Sequence, residues 1–126
     1  AWSELGRDLT DIPLMGMTRF IVIAETDDAA LAIARRIYPI WYASFMKLWW
    51  RHDKIPPLAA YTEDFDGIVA SGLAVAGSAK TVHDTLTDHI EDSGINYFLP
   101  RFAFGDITYE EAAYSIDAFT EMFLSD

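Results

Sequence analysis

Residues Phe20 to Ala24 are apolar without interruption, and beyond Asp27 the apolar positions return every third or fourth residue. The β-branched run predicts a strand covered on both faces. Thr26 can cap a helix whose first turn holds Asp27 and Asp28, where the helix dipole favours negative charge. Ala30, Ile33, Ala34 and Ile37 then fall at helical spacing, so "TRFIVIAETDDAALAIARRIY" reads as strand, tight loop, helix. Pro39 should kink or break that helix, because its ring removes a backbone hydrogen bond. Beyond it "IWYASFMKLWW" is helical and apolar nearly all round, which calls for a partner or a further part of the protein to cover Trp41, Trp49 and Trp50.

The same alternation recurs twice. "KIPPL" breaks the chain, "TEDFDGIVASG" predicts a short helix and "GLAVAG" a short strand ending at Gly77. Ser78 can cap a helix with Val82, Leu86 and Ile90 inward, and Gly94 can end it in the left-handed conformation. "INYFL" is the third strand. Thr108 and Glu111 form a capping box for a last helix, with Ala112, Ile116, Phe119 and Phe123 as its apolar stripe. The fold class expected is α/β, three consecutive parallel βα units in one domain spanning residues 1–126. Such units suit either a piece of a (β/α)8 barrel or a small open sheet.

Composition narrows the function classes. The 126 residues are 52% hydrophobic and 23% charged, the balance of a folded globular chain. The absence of Cys excludes disulfides and thiolate metal sites, and fits a cytoplasmic location. No apolar run suits a membrane span and no signal-like segment opens the chain. It begins at Ala1 rather than Met, as a trimmed or excised piece would. Through Lys54 seven Lys and Arg balance seven Asp and Glu; from Ile55 onward two face thirteen, so the whole net charge of −11 lies in the second part. That surface repels phosphodiester backbones, and nucleic acid is excluded as a partner.

Local chemistry is sparse. "GSAKT" lacks the spacing of a phosphate-binding loop, and no GxGxxG follows a strand. Gly77-Ser78 at a helix start could hold an anion, or Ser78 could simply cap its own helix. His83 and His89 do not share a helix face as metal ligands do. Asp84, Asp88 and Asp92 read as a solvated stripe, and His52 stands alone, so no metal site is expected. No Ser sits in a nucleophile elbow, and Glu25 and Asp106 read as loop or capping residues. The catalytic residues are unknown from spacing alone. In "FLPRFAFGD", Arg101 and Ala103 should point one way and Phe102 and Phe104 the other. Arg101 could either face a ligand or pair with an acid such as Glu25, and Phe104 could wall a pocket or fill the core.

"GLAVAGSAKTVHDTLTDHIEDSGINYFLPRFAFGDITYEEAAYSIDAFTEMF" resembles the carboxyl-terminal end of the luciferase-like flavin monooxygenase family. The likeness rests on Gly77, Ser78, Val82, Gly94, Tyr97, Phe102, Phe104, Gly105, Asp106, Glu111, Ala113, Ser115 and Phe119 in order. "VIAETDDAALAIARRIYPIWYASF" adds an upstream strand and helix start, so it covers roughly residues 19 to 124. The resemblance implies a partial (β/α)8 TIM barrel, the carboxyl-terminal portion of an enzyme that oxygenates a small organic substrate with reduced FMN and dioxygen. A sister branch uses a deazaflavin for hydride transfer. Gly77, Ser78, Arg101 and Phe104 become the candidate cofactor-binding residues; the family often carries Gln where Arg101 stands. A whole barrel takes about 250 residues, and the loops that hold the flavin phosphate in the family precede this stretch. The isolated chain is therefore expected to be inactive. Its open strand edges and Trp-rich helix are expected to drive homo-oligomerisation. The alternative is a small α/β module for self-association or partner binding.

Overall fold

The computed structural model describes residues 3–6, 8, 10, 12–56 and 61–124. After a 3-10 turn at Ser3–Leu5 the elements are β1 (Gly16–Ile23), α1 (Asp27–Arg51), α2 (Phe65–Ala70), β2 (Ala74–Gly77), α3 (Ala79–Ser93), β3 (Tyr97–Arg101) and α4 (Tyr109–Leu124). The protein is α/β: three parallel strands, each followed by a helix, form one sheet in the order β2-β1-β3. Ile23 lies opposite Gly77 on one side of β1, and Phe20 opposite Arg101 on the other.

β1 is central because its sequence suits no other place. Phe20, Ile21, Val22 and Ile23 are all buried. Phe20 and Val22 meet α1 and α2 in one cluster; Ile21 and Ile23 meet α3 and α4 in the other. Right-handed crossovers leading to opposite sides of one strand must use opposite faces, so α1 and α3 are separated by the sheet. The order is that of a small doubly wound open sheet. Neighbouring staves of a (β/α)8 barrel pair in chain order instead.

Local signals place most helix ends. Thr26 caps α1 through Ala29 N–H, and Asp64 caps α2 through Gly67 N–H. Ser78 starts α3 and Gly94, at φ 66°, ends it. Thr108 N–H donates to Glu111 Oε2 at 3.0 Å and Glu111 N–H to Thr108 Oγ1 at 3.2 Å, the reciprocal box expected.

Three expectations are corrected. Pro39 does not break α1, which runs unbroken from Asp27 to Arg51. The lost bond is outweighed by aromatic packing on both sides: Tyr38 stacks on Trp41 and meets Phe20 and Phe65 edge-on. Of the expected α4 stripe, Phe119 and Phe123 do face inward, but Ser115, Ala118 and Met122 join them and Ile116 is 45% exposed. Phe102 and Phe104 do not share a side: β3 ends at Arg101, and alternation ends with it. Phe102 joins the α3–α4 cluster and Phe104 the α1 cluster. Pro100 is tolerated because β3 is an edge strand. Gly105, at φ 62°, seats its backbone against α1; a Cβ there would lie 2.1 Å from the Ile37 carbonyl oxygen.

Ser115 fixes the register of α4. Its hydroxyl accepts from Ile23 N–H at 2.9 Å and donates to Ile23 C=O at 3.1 Å, inside the core. β3 pairs with β1 only as far as Phe20, so the hydroxyl takes the place of the missing strand. Ser115→Ala leaves both groups of Ile23 buried without a partner, and should cost about 2–4 kcal/mol in urea unfolding. A loss below about 0.5 kcal/mol would contradict this role.

Candidate functional site

In a doubly wound sheet, ligands sit beyond the carboxyl ends of the strands where adjacent connections leave on opposite faces. Here that place lies between β1, which leads into α1, and β3, which leads to α4. A crevice of about 340 Å³ opens there. Ile23 and Ala24 form its floor, Ala29 and Ile33 one wall and Tyr114 the other, while Glu25, Glu110 and Glu111 stand at its rim.

The rim is acidic and only partly neutralised. Arg36 on α1 reaches across to Glu111, with Nη2 2.6 Å from Oε2, and lies 4.0 Å from Asp106. The Thr108 N–H, and after it Arg36, hold the Glu111 carboxyl below the usual range against opposing desolvation. Glu25 and Glu110 have no hydrogen-bond or ion-pair partner among the described residues. An apolar floor under free carboxylates admits cationic or hydrogen-bond-donating groups and disfavours anions.

The Gly77-Ser78 position is already filled from within. Ser78 N–H donates to Asp27 Oδ1 at 2.7 Å, across 51 residues. A Cβ on Gly77 would come within 2.9 Å of the same oxygen and of the Thr81 side chain. Asp27 is held below the usual carboxylate range chiefly by that Ser78 N–H, then by the Thr81 and Ser78 hydroxyls. Ser78 Oγ also caps α3 through Thr81 N–H. Thus the helix start does bind an anion, but the anion is a side chain of α1.

Arg101 lies elsewhere. Its guanidinium carbon is 4.1 Å from the Phe20 ring centroid and 6.0 Å from that of Trp41. Nε donates to Thr18 Oγ1 and Nη2 to Tyr61 OH, each at 3.2 Å. The pairing with Glu25 is not formed; cation–π attraction and two hydroxyls replace it. Phe104 is buried edge-on against Phe20 at 4.8 Å, as core. Gly77 is level with Ile23 and Arg101 with Phe20, three residues lower on β1, which is roughly 10 Å. The candidate residues therefore do not converge: Gly77 and Ser78 flank one side of β1, Arg101 and Phe104 the other.

Asp84 pairs with Lys80 and with His83. Among the described residues no three metal-ligating side chains converge, and no helix is long and apolar enough to cross a membrane. Residues missed from spacing are Asp27 as the ligand of Ser78, Arg36 as the tie to Glu111, and Tyr61 beside Arg101. Each acts across 40 residues of chain or more, and no local signal announces them.

No family model matches the chain. It is 33% identical over 102 residues to the uncharacterized protein y4wF of Sinorhizobium fredii (strain NBRC 101917 / NGR234), covering 80% of this chain and 29% of that protein. The chain thus spans less than a third of the relative it matches; with 102 residues making 29%, the relative runs to about 350 residues.

Asp27, Asp66 and Glu111 all have lowered folded pKa values. A depressed carboxylate contributes stability above its unfolded pKa, near 4, and loses it as pH falls through the folded value. Asp27→Asn should therefore be less stable than the wild type at pH 6–7. The gap should narrow as pH falls below about 4 and through the lowered folded value, where the carboxylate becomes neutral. A gap independent of pH in urea titrations would show that the carboxylate charge is idle.

Proposed function

We propose that this chain is the carboxyl-terminal portion of a luciferase-like flavin-dependent monooxygenase, and that the intact parent carries the activity. The residue pattern from Gly77 to Phe119 carries this reading. Its members set backbone geometry: Ser78 and Gly94 bound α3, Glu111 opens α4 and Gly105 seats on α1. A pattern spent on such constraints follows a fold more closely than a chance match would. A relative of about 350 residues is long enough for a whole barrel that includes the matched stretch.

The residues present do not fit the cofactor by themselves. The Ser78 N–H that a flavin phosphate would need is bound to Asp27, whose charge repels phosphate. Arg101 and Phe104 are committed to the Phe20 cluster. No chemical step is therefore assigned to this chain, and reduced FMN (or deazaflavin in the sister branch) would be held mainly by earlier parts of the parent. The small organic substrate would bind beside it.

The strand order sets a condition on this reading. In a closed ring β3 pairs with β2, and an earlier stave takes its present place beside β1. Two measurements test the proposal. Titrating FMN with the 126-residue chain should leave flavin fluorescence unchanged; stoichiometric quenching would contradict the expectation that the chain is inactive alone. Thr18 and Leu99 are opposite each other in the sheet, and the chain has no cysteine of its own. Thr18→Cys with Leu99→Cys should cross-link readily in the isolated chain but not in the parent. A cross-link of similar yield in the parent would mean that β3 stays beside β1 there, which no closed ring allows.

A further inference from the structure

The carboxyl-terminal part of α1 carries a groove of about 660 Å³ that the crevice and the flavin reading leave unused, formed by Ser44, Phe45, Leu48 and Trp49 with His52 and Lys54. It is apolar, and Leu48 is 63% exposed. Lys54 belongs to its lining, and Lys47 and Arg51 follow on α1 outside the lining at helical spacing from Ser44. None of the three has a carboxylate partner among the described residues. Lys47 and Arg51 are one turn apart, so they form a cationic edge beside the apolar stripe.

The outer side of α4 has the complementary make-up. Tyr109, Ile116 and Leu124 are exposed along one line, two turns apart. Glu110 and Asp117 run beside them with the same seven-residue offset, and neither is paired among the described residues. One surface is a groove with an apolar floor and a cationic edge; the other is a helix ridge with an apolar crest and an anionic edge. We infer that the α4 ridge of one copy docks in the α1 groove of a second copy, giving head-to-tail self-association. This does not rest on the flavin reading. Because the two surfaces differ, the contact is heterologous and can continue from copy to copy. A single helix face on a groove buries less than the roughly 1,200 Å² of stable interfaces, so the contact is weak and fills only at high concentration.

Net charge makes the test sharp. At −11 the copies repel one another, so any change that lowers the net charge should favour non-specific association. Sedimentation velocity of the whole chain, over about 10 μM to 1 mM, is the measurement, with circular dichroism confirming that every variant folds. The wild type should gain mass with concentration. Lys47→Glu with Arg51→Glu should weaken association by at least about tenfold. Glu110→Lys with Asp117→Lys should weaken it as strongly, although it reduces the net charge. Mixing the two variants should restore association, since each then meets its opposite. A wild type that stays monomeric overturns the inference. So does an α4 variant that associates as well as or better than the wild type, or a mixture no better than its parts.

Discussion

The buried backbone of Ile23 is the constraint around which this molecule is organised. β1 runs three residues past the point where β3 stops pairing with it, so the N–H and C=O of Ile23 face an apolar interior without a strand. A hydroxyl is the smallest group that can both accept and donate, and Ser115 supplies it. Once that clasp is made, the remaining geometry of α4 follows. Phe119 and Phe123, one and two turns on, must meet the Ile21–Ile23 face, and Glu111, one turn back, must lie where Arg36 of α1 can reach it. The two helices flanking the crevice are tied at one end by Ser115 through β1 and at the other by an ion pair.

Carboxylates at helix starts hold the other joints. Asp27 sits in the first turn of its own helix, where the dipole favours it, and accepts from the first N–H before α3 as well. Asp66 on α2 binds Arg35 of α1 in a forked pair. These contacts are exposed and individually weak; their effect is to fix where helices stand. They also explain why an acidic chain offers so little to anions. The positions at which free N–H groups could receive a phosphate have been given to its own side chains.

The legible part of the sequence was the part held by short-range bonds. Thr26, Ser78, Gly94 and the Thr108–Glu111 box act within three or four residues, and the chain order of types near them identifies the helix ends. The apolar run at Phe20 likewise announced a doubly covered strand. What escaped depends on partners far along the chain. Strand order is decided by which face each crossover helix covers, and three similar βα units look alike before they pack. Pro39 seemed a break because only its lost hydrogen bond is local; the rings of Phe20 and Phe65 that pack on α1 beside it are not. In the α4 stripe Phe119 and Phe123 were legible, but Ile116 was read as inward where its neighbour Ser115 is the most buried described residue of the helix. Arg101 looked like a cation in search of an acid; Phe20, level with it across the sheet, supplies a ring face instead.

The Ser115 clasp bears directly on the proposed barrel. Ile23 can give its N–H and C=O on that side to only one neighbour. In a closed ring the preceding stave would take both, and Ser115 would have to find other partners as α4 moved with β3. In the open sheet no stave is there, and the hydroxyl fills the gap. Whether Ser115 belongs to a shared family pattern or to this arrangement is thus the same question as whether β3 lies beside β1 in the parent. One backbone position with one vacancy decides between a ring and a free-standing sheet. The chemistry a complete protein could perform at its strand ends depends on which of the two it is.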